Sequence, residues 1–450
     1  MRGRQALVAV AVMASWACGG DDGPTLSREE LLDPEACADC HPIQHQEWLG
    51  SMHAYAGDDP VFLAMNRRGQ EETDGELGDF CVKCHAPMAL AEGATTDGLN
   101  LDEVPQHLKG ITCYFCHNVE AVEGTHNNPL RLANDSILRG SLEDTINAGH
   151  RTGYSALLDS NRFESSDMCG ACHDIVTPAG VHLERTYTEY LDSVFSKPFG
   201  VVQTSCSTCH MFTETGRIAD VDGAPGRRRH SHAFPGVDVA LTDWPGKDEQ
   251  LLQIQRDLDA VVKARLCVNP AAGGVGVDII LDNVNGGHKW PSGASADRRA
   301  WVRLEAFEGA SRVFVSGEVA ADQAVVAAAE NDSNLWQIRD FTFKEGGTEE
   351  AHMFWDVRTI DEQTLPYGTT NDPTDPAFIH SVEKSYSLVG VSPDRISMQV
   401  SIRPVGYDIL DDLIDSGHLG AGIKELIPTF DLASTSLEWT SDRGFGCVPN

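Results

Sequence analysis

Ten cysteines of this 450-residue chain fall into five copies of one pattern, C-x-x-C-H. They are Cys37, Cys40 and His41; Cys81, Cys84 and His85; Cys113, Cys116 and His117; Cys169, Cys172 and His173; and Cys206, Cys209 and His210. Two thiols about one helical turn apart can form thioethers to two neighbouring vinyl groups of a haem, and the adjacent histidine then meets the iron from the same side. A lone C-x-x-C would suit structural zinc or a redox dithiol. With 13 cysteines and 17 histidines, chance predicts on the order of 0.01 copies of the full pattern, so five copies point to covalent haem c, five per chain. His41, His85, His117, His173 and His210 are then the proximal ligands.

Function turns on the opposite face of each iron. A second imidazole there makes an electron carrier, and an open face admits a substrate. His126, His150 and His232 lie in segments between or just after the motifs, as ligands crossing to neighbouring haems would. His182 also lies within the motif-bearing region. His45 is four residues from His41, on the same helix face, and so cannot be that iron's distal ligand. With His107 and His230 it is expected to be a bystander, and His352, His380 and His418 lie far down the chain. Met52, Met88 and Met211 sit close to motifs but nothing sets them apart from packing residues.

Over about residues 34–240, "CADCHPIQHQEWLGSMHA", "ITCYFCH", "CGACHDIVTPAG" with "RTYTEYLDSVF", and "CSTCHMF" followed by "HSHAFPG" resemble multihaem cytochromes c of the cytochrome c-554 type. The resemblance implies that His53, in "EWLGSMHA", is an axial ligand. "GHKWPSG", around His288, resembles a recurrent element of β domains attached to such cytochromes. His182 and His288 therefore compete for the fifth distal position.

The elements that must carry these groups change character along the chain. The fold class expected is α+β and multidomain, with a mostly helical, loop-rich multihaem domain over 34–240 and an antiparallel β-sandwich domain over 267–450. Helical stretches are predicted in "PIQHQEWLGSMHAY" and "GSLEDTINAG". "DEQLLQIQRDLDAVVKAR" has helical periodicity and places a helical linker over 241–266. Beyond Cys267, runs such as "GVGVDIILDNV", "AWVRLEAFE" and "RISMQVSIRPV" alternate or cluster β-branched residues between turn signals. "YDILDDLIDSGHLG" is a helix that Gly417 or Gly420 should stop. Cys267 and Cys447 bracket the β region and are expected to pair; closing so long a loop contributes at most about 5 kcal/mol in the chain-entropy view.

Residues 1–17 have the basic start and apolar run of an export signal. Cys18, opening the tether 18–33, stands where bacterial lipoproteins receive lipid, so a lipid anchor at the cell envelope, periplasmic or outer-surface, is expected. The formal net charge of -34 argues against nucleic acid as a partner and favours basic docking surfaces on envelope redox proteins, other multihaem cytochromes among them. Three functions fit: electron relay through mostly bis-histidine haems, reduction or oxidation of a small nitrogen or sulfur compound at one open haem, and a subunit role in a cytochrome filament or surface complex. No Ser-His-Asp arrangement or phosphate-binding glycine loop supports another chemistry.

Overall fold

The computed structural model describes residues 25–146, 149–198 and 204–448. The signal, Cys18 and most of the tether lie outside them. The haem-motif half is built from short helices, the longest being Pro60–Glu72, joined by irregular chain and four strand pairs. The pairs are Val119–Val122 with Leu130–Leu132, Ile137–Gly140 with Arg151–Tyr154, Ile175–Val176 with His182–Glu184, and Thr213–Arg217 with Gly226–His230. Only the second pair is parallel.

"PIQHQEWLGSMHAY" folds as two helices, Pro42–Leu49 and Met52–Tyr55, rather than one. The break lies at Gly50 and Ser51, where the Ser51 hydroxyl accepts from the Ala54 N–H and caps the second helix. His53 is thereby swung off the axis that carries His41 and His45. "GSLEDTINAG" forms no helix over its described residues. Ile137–Gly140 instead leads directly into chain that returns to pair with Arg151–Tyr154, so pairing overrides a weak local propensity.

Two close approaches depend on glycine. Gly110 has φ +66°, and a Cβ there would meet the His53 carbonyl oxygen at 2.5 Å, beside the Ile111 N–H donation to that oxygen at 2.8 Å. Gly170, inside the fourth motif, lies against the Tyr187 ring, whose hydroxyl donates to Asp167 at 2.6 Å; a Cβ would sit 2.1 Å from the ring.

The helix Lys247–Val261 runs straight into the strand Val262–Ala271, so the last four residues of the predicted helical segment are strand. Side-chain alternation decides this: Val262, Ala264, Leu266 and Val268 are buried in turn while Lys263 and Arg265 face out. The C-terminal half holds two larger antiparallel sheets. One is ordered Val382–Val389, Gly274–Asn283, Val262–Ala271, Gly446–Cys447. The other is ordered Ser311–Ser316, Arg299–Glu308, Arg395–Arg403, Phe430–Asp431; Trp336–Ile338 and Leu437–Thr440 pair onto its central strands. Val277, Ile279 and Leu281 of the first sheet share one core with Val302, Val400 and Ile402 of the second. Burying each such side chain stabilises by about 1.5–3 kcal/mol. The helix Tyr407–Asp415 ends before Gly417, at φ +80°. Cys267 and Cys447 lie directly opposite one another on adjacent strands and form a disulfide. The whole is α+β with several antiparallel sheets.

The two halves meet at side chains placed by both. Trp355 donates to Glu72 at 2.9 Å and packs over Gly69 of the helix Pro60–Glu72, and Arg68 donates to the Asp412 carbonyl at 3.0 Å. Asp59 caps that helix by accepting from the Val61 N–H at 2.8 Å.

Two outcomes follow from this packing. Gly170→Ala drives a methyl into the Tyr187 ring and should cost about 1–3 kcal/mol of stability, read as a lower thermal midpoint; an unchanged midpoint would place the ring elsewhere. Burial, with the nearby Asp238 charge adding to it, pushes the Asp59 carboxyl up to about 6 despite the backbone N–H bonds that favour its ionised form. A raised carboxyl favours the folded state fully below its ordinary value of 3.8 and loses that advantage as pH rises through about 6. Asp59→Asn keeps the capping oxygen without the titration. Denaturant melts across that window should therefore show the wild type losing stability relative to Asp59→Asn, by about 3 kcal/mol at most.

Candidate functional site

Each motif lies at a helix start, end or turn. Cys113–Asn118 and Cys206–His210 are helices that begin on the first cysteine, each preceded by a hydroxyl residue, Thr112 and Ser205, that satisfies first-turn N–H groups. Val82–His85 and Glu164–Gly170 carry the second and fourth motifs, and Glu35–Ala38 leads into the first. These helices are too short to persist alone. The motifs abut. The side chains of Cys37 and Cys113, of Cys84 and Cys172, and of Cys169 and Cys206 lie beside one another, so attachment points of different motifs are neighbours.

Four motif histidines each face a second imidazole. Ring centres are 6.2 Å apart for His41 and His150, 6.2 Å for His173 and His53, 6.4 Å for His117 and His232, and 6.3 Å for His210 and His288. A first-row metal bonds an imidazole nitrogen at about 2.0 Å, and the ring centre lies about 1.1 Å further, so two imidazoles on opposite sides of one ion have centres about 6.3 Å apart. The residues present thus fit axial ligation of haem iron at four places.

Hydrogen bonds fix which nitrogen faces the gap. Nδ1 of His41, His85, His117 and His210 donates to the carbonyls of Ile218, Ala56, Arg139 and Pro235, at 2.9, 3.2, 2.5 and 3.0 Å. His150, His232 and His288 donate in the same way to Arg151, His230 and Lys289, at 3.0, 3.1 and 3.0 Å. A carbonyl only accepts, so the proton sits on Nδ1 and Nε2 keeps its lone pair for a metal. Burial holds the rings neutral, the form a metal needs: His53 and His232 are pushed down to about 3, His173 and His288 to about 4, and neighbouring imidazoles deepen each shift. The His53 ring lies near those of His173, His210 and His232, which puts three of the pairs within electrostatic reach of one another.

The histidine of the second motif differs. His85 is stacked face to face on Phe62, with centres 4.0 Å apart and planes 4° from parallel, and among the described residues no imidazole stands opposite it. The remaining predicted ligands, His126 and His182, are brought against each other instead, with centres 6.3 Å apart. Of the two competitors for the fifth distal position, His288 is the one placed opposite a motif histidine.

Four of the expected bystanders have their ring nitrogens engaged by protein. His230 donates to the Met211 carbonyl and accepts from Ser160, both at 3.0 Å. His352 sits between Asp412 and Asp408, His418 between Ser416 and Glu71, and His380 between the Phe378 carbonyl and the Asn283 carbonyl. His45 lies 3.2 Å from Glu35. Sequence reasoning missed the aromatic neighbours Phe62 and Phe234, the latter 4.4 Å from the His53 ring. It missed the orienting carbonyls as well, because those of the motif histidines lie 22 to 177 residues away in the chain and any residue type can offer a carbonyl.

Residues 36–118 match the family described as cytochrome c554 and c-prime. No curated protein matches the chain. Among solved structures, a penta-heme cytochrome c552 from Thermochromatium tepidum is similar over 92% of this chain and 100% of that one, with TM-score 0.63 and 18% sequence identity, a likeness of fold. Five C-x-x-C-H motifs, the family match across the first three and the shared fold support a multihaem c-type cytochrome with a C-terminal β domain.

Proposed function

We propose that the chain carries five haems c and relays electrons, one at a time, between partners in the cell envelope. The observation that supports this most is the single separation shared by four imidazole pairs, which fits bis-histidine ligation. Bound there, haem iron supplies a one-electron couple. The cysteine pairs fix each macrocycle, the motif histidines hold one face, and His150, His53, His232 and His288 hold the other. Each distal residue comes from a segment remote from the motif it faces, so four irons would tie the fold together as well as carry charge.

In this reading 34–240 is the haem domain, 241–266 the linker and 267–450 a β-sandwich that completes the fifth motif's site through His288. The leader over 1–17 directs export and Cys18 anchors the protein by lipid. The charge of -34 suits a basic face on a redox partner.

A second reading is favoured by one site. Among the described residues His85 has a phenylalanine on its flank and no second imidazole, which fits a haem with one face open to a small nitrogen or sulfur compound.

Two measurements test these readings. His53→Ala should convert one low-spin iron signal in low-temperature EPR to high spin while the intact mass still shows five covalent haems; unchanged g-values would remove His53 from the ligand set. Titrating the holo-protein with cyanide should perturb one haem in five and leave the rest unmoved. A wholly inert spectrum would mean that the iron on His85 has a protein ligand on both sides.

A further inference from the structure

We propose that His126 and His182 are the two axial ligands of a further haem, held without thioether bonds at the surface beside the second and fourth motifs. The proposal rests on the multihaem reading but on residues that none of the five motifs uses.

The distance is the first argument. The His126 and His182 ring centres are 6.3 Å apart, inside the 6.2–6.4 Å range of the four motif pairs. With the same metal–nitrogen length of about 2.0 Å, two imidazoles on a tetrahedral ion would have centres about 5.1 Å apart, and two in adjacent positions of a square about 4.5 Å. The observed gap selects the opposed arrangement. Two opposed imidazoles leave four equatorial positions, and no third histidine, cysteine or carboxylate completes a cluster with them among the described residues. A porphyrin supplies four nitrogens in one plane.

The second argument is the rigidity of the mount. Asn127 and Asn128, next to His126, both adopt left-handed backbone, at φ +58° and +53°. Such backbone persists in a non-glycine residue only where surrounding bonds impose it. Here they do. Asn127 donates through Nδ2 to the Val176 carbonyl at 2.8 Å and accepts the Val176 N–H at 3.0 Å, and the Asn128 N–H donates to Ala171 at 2.7 Å. Val176 is in turn the strand partner of His182. The side chain that locks the first histidine's loop thus locks the strand opposite the second.

Third, the imidazoles are free to bind. Both histidines are exposed, and the only polar contact either ring makes among the described residues is His126 Nδ1 with the Thr125 hydroxyl at 3.2 Å. His230, His352, His380 and His418, by contrast, have ring nitrogens engaged by protein. Beside His182 a small, mainly polar cleft has Arg185 on its wall, together with Asp340 and with Lys289, which is already paired with Glu189 and Glu362. The buried Nε of Arg185 has no hydrogen-bond partner, an unmet donor suited to a propionate. No cysteine adjoins His126 or His182 in sequence, so attachment would be by coordination alone.

The test uses the full holo-protein. Acid–acetone extraction removes coordinated haem and leaves thioether-bound haem on the chain. The extract, or hemin added back to extracted and refolded or haem-depleted holo-protein, should amount to one equivalent with a b-type pyridine haemochrome. His126→Ala and His182→Ala should each weaken hemin binding at least tenfold, with the covalent haem count and the other low-spin signals unchanged as evidence of folding. Absence of bound hemin, or binding indifferent to both substitutions, would overturn the proposal. So would histidine-dependent binding of copper(II) without hemin binding, which would make the pair a simple metal-ion site. Failure of the multihaem reading itself would appear separately, as a shortfall of covalent haem in the intact mass.

Discussion

The gap between opposed imidazoles is the constraint on which the rest of this molecule depends. A pair of rings held 6.2–6.4 Å apart has almost no freedom in the positions of the backbones behind it. Four such pairs therefore fix four long-range distances in a region whose helices are too short to fix their own. The supporting bonds are consistent with that burden. Six of the eight paired rings are steered by an Nδ1–H donation to a carbonyl, and the carbonyls at Ile218 and Pro235 belong to irregular chain. The loops hold the rings and the ring pairs hold the loops.

The pattern of pairing explains why the motif-bearing half has a modest hydrocarbon core. Its principal cluster gathers Leu31, Phe62, Val82, Met88, Leu101 and Tyr114 around the second and third motifs. Around the fourth and fifth, the buried groups are instead tyrosines and serines such as Tyr187, Tyr190, Ser166 and Ser205, and the motif imidazoles and thiols stay partly or wholly exposed. Haem packed among them would supply the apolar surface that the side chains do not. Phe62 marks the change: it belongs to the hydrocarbon cluster and also lies flat on His85, the one motif histidine without an opposed ring.

The motifs, the helix–strand division and the larger strands were legible because each is written locally. C-x-x-C-H needs five residues, and alternation such as that of Val275, Val277, Ile279 and Leu281 needs eight or ten. The pairing of His53 with His173 was not legible from periodicity, because it is decided by a break at Gly50 and Ser51 and by the close approach that Gly110 permits. The helix predicted over "GSLEDTINAG" failed for a similar reason: the strand pairing of Ile137–Gly140 with Arg151–Tyr154 depends on where His150 must stand, not on the propensities of the intervening residues. His126 and His182 had the right residue type in the right region, yet no local feature distinguishes a ring that faces a motif histidine from one that faces another free histidine.

The same reasoning changes what the β half is for. His288 stands opposite His210 across the boundary between the two halves, and the next residue, Lys289, is held by Glu189 of the motif-bearing half through its N–H at 3.0 Å. Thr186 bonds Ser292 and accepts the Gly293 N–H, Arg298 pairs with Asp238, and Trp355 covers Gly69. A detachable docking module would need none of these to be exact, whereas a ring that must face another across a metal-sized gap needs its own backbone fixed to a few tenths of an ångström. The sheets behind His288, closed by the Cys267–Cys447 disulfide, provide that rigidity. The β half is therefore a structural part of the fifth site, and a chain ending at residue 240 would keep the five attachment motifs while losing the imidazole opposite His210.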